Sequence, residues 1–315
     1  MVTKQWLSIN AQLARLEQRG MVIGDREHAA RWLAQVGYYR LSGYWYPYRR
    51  RDVSGDLSDH FERGTTFADV AALYEFDRHL KNHMLSAVER IEVAMRSQVG
   101  HALGRLGGVA YLGHTPFSDD FLTSGQHLDW LSTVTKRANR AKRRDPFIGH
   151  HFVNYNGQIP IWVLTEVLDF ADVSKVYKGM KMSDRDRIAH DLGITGTRTR
   201  SNARPGDILA NFLEHITVVR NVCAHHSRLW NRNLTPVGTA RLAAMDSFRG
   251  LAKGQDGSVF VSLCIAGHLL QVISPGTTWV DGVADLITTR LASIRMRSEG
   301  EMGFPSNWQA LPLWR

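Results

Sequence analysis

The sequence predicts an all-α fold, and three observations carry that prediction. Apolar residues recur at spacings of three and four along most of the chain, the period of an amphipathic helix, while two-residue alternation is scarce. Residues that start and stop helices flank several of these periodic stretches. With 315 residues and 43% hydrophobic content, the chain can bury a sizeable core as one large domain or two modest ones.

Taken in order, residues 6–19 and 25–36 read as a helix pair joined at Gly20, with Gly20 closing the first helix and Asp25 capping the second. The aromatic and basic stretch GYYRLSGYWYPYRRR, 37–51, has two glycines, Pro47 and dense tyrosines, and reads as a turn-containing connector. An irregular segment follows to about Thr66. From 67 to about 103 an apolar stripe through Val70, Leu73, Tyr74, Leu80, Met84, Val88, Ile91 and Met95 predicts one long amphipathic helix. The glycine cluster at 104–108 ends it, and a loop-rich stretch runs to about 120. Further helices are expected over 121–144, 159–180 and 184–192. The polar, basic segment TGTRTRSNARPG, 195–206, reads as a mobile surface loop, after which Asp207 caps another helix. Helices near 237–252, 258–273 and 280–297 precede the tail FPSNWQALPLWR. No tandem repeat or low-complexity tract interrupts the chain.

The segment ILANFLEHITVV has the pattern of a buried helix, yet RNVCAHHSRLWNR follows it directly. An arginine with a histidine five positions on suits metal-independent RNA cleavage. The imidazole takes the proton of a ribose 2′-hydroxyl, and the resulting oxyanion attacks phosphorus while the guanidinium neutralises charge on the non-bridging oxygens. Histidine can do this because its ordinary pKa lies near neutrality, and arginine because its planar fork stays charged and pairs bidentately with phosphate. Spacing alone is weak evidence: the same pattern recurs as Arg78 to His83, Arg96 to His101 and Arg185 to His190. Context separates the copy at 220. Asn221 lies one helical turn before His225 on the same face and can orient the imidazole or a phosphate. Arg220 stands about 140° from His225 on an ideal helix, so a long side chain, or a helix beginning near 220, must bring them together. Cys223 and Ala224 read as small packing residues, Leu229 and Trp230 as core.

The other copies read as structural. Arg96 sits beside Glu89 and Glu92 and is expected in an ion pair, although those glutamates could instead orient Arg220; Arg78, His83, Arg185 and His190 read as solvated faces. The formal net charge of +9 favours an anionic partner, nucleic acid or an acidic membrane surface. Arg137, Arg140, Lys142, Arg143 and Arg144 in one run, and Arg198, Arg200 and Arg204 in another, are the candidates to grip RNA backbone. Tyr44, Trp45, Tyr46 and Tyr48, beside Arg49 to Arg51, read either as core or as a base-stacking set.

Several classes are excluded. Two cysteines, Cys223 and Cys264, are too few for a disulfide framework or a four-cysteine zinc site and fit a reducing cytoplasm. His150, His151, His225 and His226 lack metal-ligand spacing, so no metal or other cofactor is expected. GRLGG lacks the lysine and strand of a phosphate-cradling loop. The N-terminus has no signal-peptide pattern, and the longest apolar run, 259–273, is shorter than a bilayer requires, so a cytoplasmic protein with no membrane partner is expected.

RNVCAHHSRLWNR also resembles the signature of the Abi-like abortive-infection proteins of the D and F type, whose catalytic unit is a HEPN domain with an Arg-x4-His motif. Other stretches resemble that family in the same order: VGYYRLSGYWYPYR, LYEFDRHLKNHMLSAVERIEVAMRSQVGH, PIWVLTEVLDFADVSKVY and MGFPSNWQALPLWR. The resemblance implies a HEPN-like helical bundle over 67–235, preceded by an N-terminal helical and aromatic extension, 1–66, and followed by C-terminal helices and a tail, 236–315, packed on the core. It implies a homodimer whose facing motifs build a ribonuclease site, a toxin role in phage defence and, in some relatives, a cognate small non-coding RNA. Carried over by position, Arg220, Asn221 and His225 form the catalytic set; His226 extends the pattern by one, and either histidine can serve as base. The alternative is a non-catalytic RNA-binding module that holds a small RNA and acts through a partner.

Overall fold

Ser8 accepts a hydrogen bond from the Ala11 amide and opens α1 (Ile9–Gln18). Gly20, at φ +91°, closes it, because the amides of Gly20 and Met21 reach back to the carbonyls of Glu17 and Leu16, a turn that needs the left-handed region glycine enters freely. Asp25 caps α2 (Arg26–Gln35) through the His28 amide. Both expected terminators are in place. The structure, a computed structural model, describes residues 5–52, 54–195, 203–238, 245–248 and 254–315.

The stretch expected to be a connector is instead organised. It forms α3 (Tyr38–Trp45), a 3₁₀ turn over Tyr46–Tyr48 and the short strand β1 (Arg49–Arg51). Leu41, Tyr44 and Trp45 bury one face of α3, and this burial outweighs the turn-forming composition that surrounds it. The segment expected to be irregular supplies β2 (Leu57–Phe61), antiparallel to β1 with Arg49 opposite Phe61. Asp52 shapes the connecting turn by accepting from the amides of Ser54 and Asp56. Arg49, Arg50 and Arg51 donate to the carbonyls of Ser58, Phe61 and Gly55, so their side chains brace the hairpin.

The long helix forms as expected, as α4 (Phe67–Gly104). The single helix expected over 121–144 is divided: α5 (Asp119–Thr123) ends before Gly125, at φ +78°, and α6 (Gln126–Ala141) begins after it. Asp145 then caps α7 (Pro146–Asn154). The helix expected over 159–180 is divided as well, into α8 (Ile161–Leu164), a 3₁₀ turn Thr165–Val167 and α9 (Phe170–Gly179). Asp169 and Asp172 form a reciprocal capping box that restarts the helix after the extended Leu168. The remaining elements are α10 (Met182–Asp191), α11 (Pro205–Ala224), α12 (Val259–Ile273) and α13 (Trp279–Asp285), which runs on into a π-helical turn, Leu286–Leu291. Most of the helix expected near 237–252 lies outside the described residues, whose 3₁₀ turn Asp246–Phe248 is the part seen. Helix dominates, and the two-stranded hairpin is the sheet among the described residues.

The chain divides into two compact units: the residues up to Asn82 with Val283–Glu301, and His83–Gly282 with Met302–Arg315. In the first, Leu13, Leu16, Leu33, Leu41, Leu73 and Phe76 are buried around a polar cluster in which the Tyr44 hydroxyl donates to Asp77 at 2.7 Å and Lys81 pairs with the same carboxylate at 3.0 Å. In the second, α11 is the central helix, packed by α9, α10 and α12. Ile208, Leu209, Phe212, Leu213, Ile216, Val219 and Val222 bury its inner face. α12 is apolar on almost every side, as a helix enclosed by its neighbours must be. Among the described residues no helix is long and apolar enough to cross a membrane.

Candidate active site

α11 starts two residues before the expected cap. Pro205 takes the first position, and Asp186 of α10 accepts from the Gly206 amide at 2.9 Å, satisfying an amide that the helix leaves open. Asp207, expected as the cap, lies in the first turn and pairs with Arg185 at 2.6 Å. Gly206 allows that crossing, since a Cβ there would stand 2.7 Å from the Arg185 Cβ. The site helix is therefore fixed at its start by α10.

Its other end carries the motif. The helical hydrogen bonds continue until the His225 amide donates to Asn221 at 3.0 Å. Then the His226 amide donates to Cys223 and the Ser227 amide to Val222, the paired bonds of a Schellman cap. The residue between them sits in the left-handed region, and here that residue is His226, at φ +55°, where glycine is usual. Leu229 and Trp230 are fully buried just beyond. Residues 225–227 are thus a tight turn held between two buried anchors: Val222 and Cys223 keep the last turn of the helix in the core, while Asn221, His225 and His226 are exposed.

On an ideal helix Glu214, Val218, Asn221 and His225 fall within about 60° of arc, and all four are exposed. The structure thus aligns Asn221 with His225 on one open stripe. Arg220 is half-buried on a different flank, about 140° of rotation from His225. Because α11 continues to Ala224, no helix start at 220 shortens that separation. At its N-terminal side the stripe borders a pocket of about 440 Å³ between α6, α9 and α11, where Lys178 bridges to Glu214 and Trp130 forms part of the wall.

Among the described residues no hydrogen bond or ion pair holds the Arg220 guanidinium. The arginines of the other three copies are engaged. Arg78 pairs with Glu75 at 2.7 Å. Arg96 pairs with Glu92, one turn away, and donates to the Leu168 carbonyl at 2.9 Å. Arg185, expected on a solvated face, is buried and held by Asp207 and the Gly206 carbonyl; buried packing of α10 on α11 overrides its polar surroundings in sequence. His83, also expected to be solvated, stacks on Trp279 and bonds its carbonyl at 2.9 Å.

The residues named for RNA contact divide by environment. Arg140, Lys142, Arg143 and Arg144 are exposed at the end of α6 and the turn into α7, with the Lys142 ammonium 4.6 Å over the Phe152 ring. Arg137 is clamped by Asp169 and Asp172, so its charge holds α6 to the start of α9. Arg204 pairs with Asp186. Arg198 and Arg200 lie outside the described residues. Of the aromatic set, Tyr44, Trp45 and Tyr48 are core and Tyr46 is 48% exposed. The left-handed cap at His226 carries no signal in the sequence, since a histidine stands where glycine is usual.

Residues 31–231 match the family described as Abi-like protein. The chain belongs to the Abi-like family. That membership connects it with abortive infection, a phage-defence response. The matched span runs from α2 to the residue after Trp230, so Arg220, Asn221, His225 and His226 all lie inside it. The Abi-like match leaves out residues 232–315, including the MGFPSNWQALPLWR tail. No curated protein and no solved structure matches the chain.

Proposed function

We propose that the chain is a metal-independent HEPN-type endoribonuclease acting in phage defence, with Arg220, Asn221 and His225 as its catalytic set and His226 beside them. The observation that carries this reading is the contrast among the Arg-x4-His copies: Arg78, Arg96 and Arg185 are held by carboxylates, whereas Arg220 is not so held among the described residues. A guanidinium without a carboxylate partner retains its charge for a phosphate.

In this mechanism His225 accepts the 2′-hydroxyl proton. The 2′-oxygen attacks phosphorus, Arg220 neutralises charge on the non-bridging oxygens, and the P–O5′ bond breaks as an imidazolium returns a proton to the 5′-oxygen. The products carry a 2′,3′-cyclic phosphate and a 5′-hydroxyl. Asn221, one turn from His225, orients the imidazole or a phosphate oxygen. The 140° between Arg220 and His225 favours a site composed from two copies, with the open stripes of two α11 helices facing each other.

The second reading, a non-catalytic RNA binder, is favoured by the exposed cations Arg140, Lys142, Arg143 and Arg144. One comparison separates the two. For an enzyme, His225→Ala abolishes growth arrest on expression and leaves RNA affinity near wild type. Parallel loss of both supports the binder.

A further inference from the structure

The last turns of α4 carry Arg96, Ser97, Gly100, His101 and Gly104, and Arg105 follows directly, its amide still bonded to the His101 carbonyl at 3.1 Å. On an ideal helix Ser97, Gly100 and Gly104 fall within about 60°, with Arg96 on one side and His101 and Arg105 on the other. Sequence and helical geometry therefore produce a smooth floor edged by basic groups. Onto this floor α8 lays Trp162. A Cβ built on Gly100 would stand 3.2 Å from the Trp162 Cα, one on Gly104 2.9 Å from its Cε3, and one on Gly108 3.2 Å from its Cη2. Only missing side chains allow so close an approach, and they fix the indole in place.

Trp162 nevertheless stays 53% exposed. A large aromatic seated this firmly and left open does less for the core than a buried one would, and it supplies a rigid stacking surface. It borders a pocket of about 630 Å³ that also takes in Arg96, His101, Arg105, Thr165 and Glu166. Arg105 is half exposed and gives one guanidinium nitrogen to Asp184 at 3.1 Å. Arg96 is engaged on both sides, by Glu92 and the Leu168 carbonyl through Nη2 and by Glu166, 4.0 Å from Nη1, and so edges the pocket as a neutralised group. An open guanidinium and a fixed indole stand beside one space large enough for a small ligand.

We propose that this pocket binds a nucleotide unit, its base stacked on Trp162 and its phosphate held by the open side of the Arg105 guanidinium, whether the unit is free or part of single-stranded RNA. Base–aromatic stacking with cationic contacts to the phosphate is how single-stranded nucleic acid is held without sequence readout. The proposal does not require the chain to cut RNA.

The test titrates the full chain with AMP, UMP, adenosine, inorganic phosphate and a six-nucleotide RNA, by calorimetry. AMP is expected to bind more tightly than adenosine or phosphate. Trp162→Ala is expected to weaken AMP by roughly five- to a hundredfold, with Trp162→Phe recovering most of the loss. Arg105→Gln is expected to weaken AMP more than adenosine. Tighter binding of the hexamer, with the same dependence on Trp162, assigns the site to RNA; binding of AMP or UMP without the hexamer assigns it to a free nucleotide. Unchanged AMP affinity in Trp162→Ala overturns the proposal, as does loss of AMP binding in Arg220→Ala, which would place the ligand at the α11 motif. If Trp162→Ala does not fold, Trp162→Phe and Arg105→Gln decide: AMP affinity unchanged in Arg105→Gln overturns the proposal.

Discussion

His226 is the residue whose replacement reads the motif's backbone and its chemistry separately. An L-residue in the left-handed region costs about 1–2 kcal/mol. Glycine escapes that cost but loses about 0.4–1 kcal/mol to the greater freedom of its unfolded chain. His226→Gly and His226→Ala both remove the imidazole and every contact it makes, so their difference isolates the cap. With φ at +55°, His226→Gly should be the more stable by about 1 kcal/mol. That is a melting temperature roughly 2 °C higher for a chain of this size. Paired thermal and urea unfolding measures it. Equal stability, or a more stable His226→Ala, would show that the left-handed cap does not form and that the turn presenting His225 is built differently. A glycine variant that is more stable yet no longer cleaves RNA would be the mark of strain kept at a working site.

Other outcomes follow from the packing and the buried imidazoles. Gly206→Ala should destabilise the chain by about 1–3 kcal/mol, since its Cβ would meet Arg185 at 2.7 Å where α11 crosses α10; a shift under 0.5 kcal/mol in urea unfolding would contradict that close contact. Burial holds His215 and His268 below the usual imidazole range. Their unfolded forms take up protons near pH 6.5 before the folded forms do, so their contribution is complete above that pH and is lost as pH falls through 6.5 toward the lower folded values. Urea midpoints should therefore decline from pH 7.5 to 5.5, and His215→Gln should flatten part of the slope; an unchanged slope in that variant contradicts the assignment. Arg220→Ala and His225→Ala, at half-buried and exposed positions, should each unfold within about 0.5 kcal/mol of wild type, and a larger loss would mean that these side chains serve the fold.

The sequence made the long periodic elements legible because their burial is one-sided over many turns, as in α4 and the buried face of α11. Gly20 and Asp25 were legible because each satisfies open backbone groups by local chemistry. What escaped was set by contacts distant in sequence or by breaks inside an unbroken period. α3 forms because Leu41, Tyr44 and Trp45 find a core, which Gly43 within it and Pro47 just beyond it do not announce. The apolar pattern continues across Gly125 and Leu168, so the helices there looked continuous, although Asp169 and Asp172 carry a readable capping box. Helical period alone puts Asn221 and His225 on one face, and both are exposed at the end of α11. The Arg96–Glu92 pair was legible as well, since the two lie one turn apart on the same helix; the burial of Arg185 needed coordinates, because it depends on Asp207 and the Gly206 carbonyl of another helix, and so did the Trp162 shelf, which rests on three glycines from outside its own helix.

The most direct test of the account is the end chemistry of RNA cut by the purified chain in EDTA. It predicts 2′,3′-cyclic phosphate and 5′-hydroxyl ends, with the rate reduced at least about a hundredfold by Arg220→Ala and by His225→Ala. Ends bearing a 3′-hydroxyl, or cleavage undiminished in both variants, would contradict it.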